Sequence, residues 1–451
     1  MDVTPLPILQ QRRARLSDCC AEPVLLWSGA PVARNFAANC YPFRASSHFL
    51  YLAGLPIMNA VFALAAGRSI LYWDEASPED DLWHGPTPTR WDLARSAGID
   101  EAYPLSALEQ WQDQAFATLP APDLLTQQRQ RDLAGPAVPG MAQRHQILAA
   151  AMMRLRLQQD EFSLAQIRTA AAVTVQAHQA GMRATLRSHT EAEVRSAIEQ
   201  VFISHNLVPA YGSIVTVHGE VLHNPHYHHP LQAGDLLLVD AGAETTLGWA
   251  ADVTRTWPVS GTFSPTQREI YQVVLAAHDA CIEAIAPGVE YEAIHRLALK
   301  VLAAGLVDLK ILRGDPESLV DQEIPSYFFP HGVGHLLGLD VHDMEDLGDL
   351  AGYAPGRQRS QRPGFRYLRL HRPLQENMVV TVEPGFYQIP ALLGSARQRG
   401  ESAICWDQLD KFRDVRGIRI EDDVWVSPQG PVVLTAALAS RPESVEAQLK
   451  S

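Results

Sequence analysis

The chain is short of what several functional classes need. Its five cysteines (Cys19, Cys20, Cys40, Cys281, Cys405) are odd in number, scattered and without a C-x-x-C pair, so they suggest neither a disulfide framework nor a thiolate zinc site and leave buried free thiols as the plain reading. Apolar runs such as Val61–Ala66 fall far short of the ~20 residues of a membrane span. The first ten residues, MDVTPLPILQ, have no basic region feeding an apolar stretch, so the expectation is a cytoplasmic protein with no membrane partner. Basic charge is scarce as well: 37 Lys and Arg face 51 Asp and Glu, and the net charge of −14 repels phosphate backbones, which argues against a nucleic-acid partner. No G-x-G-x-x-G or P-loop is present, so nucleotide readings lack support. What remains is ordinary globular usage, 47% hydrophobic and 20% charged, in a chain long enough for two to three domains at ~150 residues each.

The first part alternates short β-favouring runs (Val24–Trp27, Phe49–Leu52, Ala60–Leu64, Ser69–Trp73) with polar and helical stretches, the pattern of an α/β domain. Gly135-Pro-Ala-Val-Pro-Gly140 is the strongest break, a helix is expected over Met141–Leu157, and the boundary is placed there: a smaller α/β domain over 1–157 and a second domain over 158–451. In the second domain Phe162, Leu164, Ile167, Ala171 and Val175 recur at helical spacing. Thr190-Glu-Ala-Glu193 reads as a capping box opening another helix, a third starts at Ser264-Pro265 and stops at Pro287-Gly288, and a fourth spans Glu290–Ala304. Strands are expected at Ser213–Val217, Asp235–Val239, Val253–Val259, Val379–Val382, Ile418–Ile420 and Val424–Val426. Helices, strands, helices, strands is the order of an α+β domain, one compatible with two related halves, and not of a doubly wound nucleotide fold.

Several apolar runs end in acids: Leu236-Leu-Leu-Val-Asp240, Trp249-Ala-Ala-Asp252, Val379-Val-Thr-Val-Glu383 and Gly417-Ile-Arg-Ile-Glu421. A carboxylate beside a core strand is costly unless paired or metal-bound. Asp240 and Asp252, with Gly242 and Gly248 between them, suit two antiparallel neighbours whose carboxylates meet and chelate one ion. Period two puts Arg419 and Glu421 on one face and Thr381 with Glu383 on another. The run His331-Gly-Val-Gly-His335-Leu-Leu-Gly-Leu-Asp-Val-His342-Asp343 supplies imidazoles. Its glycines disfavour a helix and no Glu follows His331, so it is a glycine-rich loop or strand and not an H-E-x-x-H zinc helix. His218, His226, His228 and His229 are expected in a solvated loop near His223.

Asp240-Ala-Gly, Asp252-Val-Thr-Arg-Thr-Trp-Pro, the His331–Asp343 run, Glu383-Pro-Gly and Arg419-Ile-Glu-Asp-Asp423 stand in the order found in the proline-specific M24 metallopeptidases, which this chain resembles. Tyr41-Pro-Phe-Arg44 and Ser47-His-Phe-Leu-Tyr-Leu-Ala-Gly54 resemble the N-terminal domain of the aminopeptidase P and prolidase branch, so the likeness covers nearly the whole chain. It implies an α+β pita-bread (creatinase/aminopeptidase) catalytic domain behind an aminopeptidase P-like α/β domain. It implies a dinuclear centre held by Asp240, Asp252, His335, Glu383 and Glu421, with Asp252 and Glu421 bridging. Four carboxylates crowded together repel and take up protons unless two divalent ions compensate them. The implied ions are Mn²⁺, with Co²⁺ or Zn²⁺ able to take the same donors.

The implied reaction is hydrolysis of the bond between an N-terminal residue and a following proline, by a hydroxide held between the ions. Glu383 is the implied proton shuttle, His223, His331 and His342 orient substrate and stabilise the tetrahedral intermediate, and Arg419 holds ligand carboxylates. The implied partners are proline-containing peptides and, as a dimer or tetramer, further copies of the chain. Substrate length divides the likeness. Leu368-Arg-Leu-His-Arg-Pro-Leu374, where Arg369 matches a carboxylate-gripping arginine, and the long Ile389–Asp414 insertion resemble prolidases. Asp252–Pro258, Gly305–Gly314 and Leu82-Trp-His-Gly85 look more like bacterial aminopeptidase P, and the balance favours the aminopeptidase. A non-catalytic pita-bread module that binds peptides is the competing class, and retention of all five donors argues against it.

Overall fold

Apolar strands too short to stand alone need a sheet, and the first unit builds one. The structure, a computed structural model, describes residues 3–134 and 140–451, so the break read at Gly135–Gly140 lies, but for Gly140, outside the described residues. The chain divides into two compact units, Met1–Leu157 with Thr246–Gly248, and Gln158–Thr245 with Trp249–Ser451. In the first, five strands run in the order Glu101–Tyr103, Arg68–Tyr72, Val61–Ala65, Val24–Trp27, Ala117–Thr118. Two outer pairings are parallel and the inner ones antiparallel. Leu25, Trp27, Val61, Ala63, Tyr72 and Phe116 fill the core on one side of this sheet.

The run Phe49–Leu52, read as a strand, is a correction: Ser47–Ala53 is a helix, entered at Ser46 and closed by Gly54 at φ +68°. Every residue of it is buried, and a continuously apolar run of this length carries no period by which a strand is told from a buried helix.

The second unit has two helix pairs, each followed in sequence by a three-stranded sheet. Glu161–Thr185 and Glu191–Ser204 precede a sheet ordered Thr254–Pro258, Leu236–Asp240, Ile214–Thr216. Pro265–Glu283 and Tyr291–Asp308 precede one ordered Val379–Val382, Asp422–Ser427, Gly430–Val433. The Ser264 box with Gln267 forms as the sequence indicates. The Thr190 box does not: the Thr190 side chain caps nothing, and Glu193 accepts instead from the backbone N–H of His189 at 2.8 Å. The last helix of the four runs past Ala304 to Asp308, because Gly305 does not end it but lets it close on its neighbour; a Cβ there would sit 2.6 Å from Val273.

A short two-stranded ribbon, Gly385–Tyr387 with Gly417–Arg419, completes the surroundings of the candidate site. Beside it the loop around His331–His335 is laced to the Val379–Val382 strand. Thr381 N donates to His335 O at 3.0 Å, His335 N to Thr381 Oγ1 at 3.1 Å, and Glu383 N to Val333 O at 2.8 Å. Gly334 permits this approach, since a Cβ there would meet Thr381 O at 2.1 Å and the Tyr291 hydroxyl at 2.2 Å. Gly334→Ala must push the loop off the strand, and we expect it to lower unfolding free energy by about 3 kcal/mol in a denaturant titration, the upper range for overpacking. Wild-type stability in that variant would show the lacing to be slack.

Candidate active site

Asp240 ends the Leu236–Asp240 strand opposite Thr254, and Asp252 stands two residues before Thr254 in the antiparallel neighbour. Both carboxylates therefore emerge at one end of the same strand pair, as the spacing suggested. The Tyr211 hydroxyl bonds Asp240 Oδ1 at 2.5 Å and also Asp252 Oδ1. Glu383 follows the Val379–Val382 strand directly, and Glu421 lies in the break between Gly417–Arg419 and Asp422–Ser427.

Three sets of ligand atoms each fall within 4.8 Å of one another: Asp240, Asp252 and Glu421; His335, Glu383 and Glu421; Asp252, His335 and His342. One cleft of about 420 Å³ in the second unit is lined by all of these and by His223, His331, Arg369 and Arg419, so every site residue read from the sequence faces it. A larger cavity of about 540 Å³ in the first unit, bounded by Trp27, Leu108 and Arg129 among others, gathers no comparable set of donors among the described residues.

Hydrogen bonds from neighbouring side chains hold these carboxylates and imidazoles in place. Arg419 Nη2 reaches Asp240 Oδ2 at 2.6 Å, its Nε reaches Thr254 Oγ1 at 3.0 Å, and Thr254 Oγ1 donates to Glu421 Oε2 at 2.7 Å. Arg419 Nη1 donates to the Tyr387 hydroxyl at 3.0 Å, and that hydroxyl lies 2.9 Å from His331 Nε2. The bond from His331 Nδ1 to Gly332 O, 2.8 Å, requires the proton on Nδ1, so Nε2 accepts from Tyr387. His335 follows the same rule: Nδ1 bonds Leu336 O at 3.0 Å, leaving the Nε2 lone pair 3.4 Å from Asp252 Oδ2 and 3.7 Å from Glu383 Oε1.

Burial, and then mutual repulsion, push the acids up. The Asp252 carboxyl rises to about 7 through burial and the Asp240 charge. Glu383 rises to about 8, burial and Asp252 outweighing the help of Arg419, and Glu421 is raised well above the carboxylate range by burial and its three acidic neighbours, Asp252, Glu383 and Asp240. The imidazoles go the other way: burial lowers His331 to about 3 and His335 to about 4, and lowers His223 and His342 as well. A neutral His335 thus aims a lone pair at two carboxylate oxygens inside the protein, an arrangement that is repulsive unless a proton or a cation lies between them. The donor set, rich in oxygen with one imidazole, fits divalent ions held by Asp240, Asp252, His335, Glu383 and Glu421.

The sequence reading passed over Tyr211, Tyr387 and Thr254. Tyr387 was findable, because period two along Glu383, Gly385 and Tyr387 puts it on the face of Glu383. Tyr211 precedes its strand by three residues and carries no such signal. The four further histidines are corrected in part: His226 and His228 are exposed, but His218 and His229 are half-buried, their rings 4.3 Å apart, and bond Glu220 and Glu191.

Residues 165–428 match the model described as metallopeptidase family M24, and residues 9–120 match that of the aminopeptidase P N-terminal domain. A probable Xaa-Pro aminopeptidase pepP of Pyrenophora teres f. teres is 32% identical over 404 residues, spanning 86% of this chain and 83% of that one. The solved structure of Pseudomonas aeruginosa aminopeptidase PepP aligns with a TM-score of 0.82 at 28% identity, over 100% of this chain and 99% of that chain. Aminopeptidase P from E. coli with the inhibitor Pro-Leu gives 0.81 at 27% identity over the same shares.

Carboxyls whose folded pKa lies above the unfolded value contribute stability at low pH and lose it as pH rises through the folded value. Protein stripped by a chelator is therefore expected to lose thermal stability from the unfolded carboxylate range near pH ~4 up to about pH 8, and metal-loaded protein to lose much less. Melting temperatures across that range, with and without chelator, check this; parallel curves would contradict it.

Proposed function

This chain belongs to metallopeptidase family M24, and from that premise we propose that it is an Xaa-Pro aminopeptidase, a hydrolase that removes an N-terminal residue standing before proline. The observation that carries the reading is the convergence of three buried carboxylates, a fourth that is half-buried, and one neutral imidazole in a cleft wide enough for a peptide end. Asp240, Asp252, His335, Glu383 and Glu421 would hold a pair of divalent ions. When bound, such ions make water nucleophilic near neutral pH and polarise the scissile carbonyl.

The side chains supply the remainder. Glu383, standing in the cleft beside the place of the attacking water, takes a proton from that water as a carboxylate and returns it to the proline nitrogen as that leaves. His223 and His342 line the cleft as neutral imidazoles and hold the peptide by hydrogen bonds, and His331, whose ring nitrogens are engaged by Gly332 O and the Tyr387 hydroxyl, orients the substrate by exchanging its Tyr387 bond for one to the peptide. Arg419 keeps Asp240 turned into the cleft. Proline suits such a site because its imide has no N–H for a general protease to read, and its fixed ring is held only by a pocket shaped for it.

The dipeptidase reading rests on Arg369. In the structure Arg369 Nη1 is already bonded to Glu345 Oε2 at 2.6 Å, and Arg359, the other arginine of the cleft away from Asp240, is bonded to Asp349 at 2.7 Å. A dipeptide ends in a carboxylate next to its proline, where a longer peptide has a neutral amide. With both guanidiniums compensated, the longer peptide is favoured.

We extend the proposal to Mn²⁺ as the metal, on the hardness of the donors; to proline-containing peptides as the substrates; to a 1–157 domain and a 158–451 catalytic domain; and to a cytoplasmic dimer or tetramer without nucleic-acid or membrane partners. No described helix is long and apolar enough to cross a membrane.

Mn²⁺-loaded protein is expected to cleave Ala-Pro-Ala-Ala about tenfold more efficiently than Ala-Pro, a difference worth ~1.4 kcal/mol, and chelation should abolish both activities. Protein that binds no divalent ion and cleaves neither peptide would instead be a binding module. Glu345→Gln, which frees Arg369, should raise kcat/KM on Ala-Pro relative to the tetrapeptide by roughly tenfold, the effect of one unmasked charge. If wild type prefers Ala-Pro and Arg369→Ala removes that preference, the dipeptidase reading prevails.

A further inference from the structure

Glu421 occupies a position where the backbone has no ladder to join. The preceding strand, Gly417–Arg419, pairs with Gly385–Tyr387, and the following one, Asp422–Ser427, pairs with Val379–Val382, so the chain changes partners across Ile420 and Glu421. Both residues are buried. A buried carbonyl without a partner costs about as much as a lost hydrogen bond, and a carboxylate meant for a fixed geometry cannot be hung from a backbone free to shift.

Arg255 resolves this. It is the second residue of Thr254–Pro258, has no exposed surface, and divides its guanidinium between this junction and the carbonyls of Leu438 and Ala439. Nη1 donates to Glu421 O at 2.6 Å and to Thr254 O at 3.0 Å. Nη2 grips both oxygens of Asp422 at 2.8 and 3.0 Å, and Nε reaches Ala439 O at 3.0 Å. Asp422 is held in turn by His278 Nε2 at 3.0 Å and by the Thr435 hydroxyl at 2.5 Å. Thr254 O also accepts from Glu421 N at 3.0 Å, and Thr254 Oγ1 bonds the Glu421 carboxylate. Every polar group of Glu421 is thereby referred to the strand that begins two residues after Asp252.

We infer that Arg255 is a positioning residue that sets the Glu421 carboxylate against Asp252 and so determines whether the site holds two ions or one. The inference rests on the metal-ligand reading above. A lysine in its place keeps the charge beside Asp422 but has no planar fork with which to reach Glu421 O, Asp422 and Ala439 together.

The test is Mn²⁺ titration of chelator-stripped protein, by calorimetry and by metal content after dialysis, on wild type, Arg255→Lys and the near-isosteric Asp422→Asn. Circular dichroism of the stripped proteins identifies the folded ones. Arg255→Lys should retain one ion while the second binds about tenfold more weakly, the lower range for losing a group that orients a ligand. Asp422→Asn, which keeps the Glu421 O contact, should show a smaller loss at the same ion. Wild-type affinity for both ions in either folded variant overturns the inference. So does an equal weakening of both ions, which is what a purely structural role predicts. If Arg255→Lys does not fold, Asp422→Asn decides alone. Wild-type protein that takes up no ion at all would defeat the metal-ligand reading itself, a result distinct from the failure of Arg255 to discriminate between two bound ions.

Discussion

Repulsion among like charges is the constraint from which the second unit follows. Asp240, Asp252, Glu383 and Glu421 share one cleft, and among the described residues the guanidinium bonded to one of these carboxylates is that of Arg419, on Asp240. Left to themselves, such carboxylates would separate or protonate, and the raised Asp252, Glu383 and Glu421 carboxyls record the second tendency. The first is opposed by hydrogen bonds. Tyr211 clasps Asp240 to Asp252, Thr254 holds Glu421, and the glycine loop is stitched to the strand that carries Glu383. Each element offers one donor or one tether, and none makes sense alone. On the proposed reading, cations entering the cleft would offset the cost of gathering the acids, and metal binding would then also contribute folding energy.

The imidazoles answer to the same environment with the opposite sign. A charged histidine in the cleft would satisfy one carboxylate and compete with a metal for it. Burial keeps His331 and His335 neutral, and their Nδ1–H groups are committed to the carbonyls of the next residue, Gly332 and Leu336. That local bond fixes which nitrogen faces the cleft without help from any distant residue. Gly334 makes the loop close enough to its strand for this to work, which explains a glycine there better than chain flexibility does.

What was legible in the sequence is what sits beside a periodic pattern. The strands ending in Asp240, Glu383 and near Glu421 are short alternating or apolar runs, and an acid at the end of such a run stands out. Resemblance then linked segments far apart in the chain, which no local pattern can do. The misses are equally physical. Phe49–Leu52 has no polar position to betray its period and folds as a helix. Thr190 has the residue types of a capping box, yet Glu193 finds the N–H of His189 first. Tyr211 and Arg255 act through contacts 29 and 166 residues away, and only the folded chain shows them.

The strand Thr254–Pro258 shows how one short element carries two duties. Alternation sends Thr254 and Thr256 to one side and Arg255 to the other. Thr254 lies opposite Asp240, so the threonine side is the cleft side, where Thr254 Oγ1 links Arg419 to Glu421 and Thr256 Oγ1 binds the backbone of Arg419. On the far side Arg255 binds the backbone of Glu421 and the acid that follows it. One side therefore aims side chains and the other fixes the backbone from which they hang. Two guanidiniums, Arg419 and Arg255, reach Glu421 from opposite directions without either bonding its carboxylate directly. A direct ion pair would have neutralised the charge that the site needs to keep for a cation, and a hydroxyl and a backbone carbonyl as intermediaries preserve it.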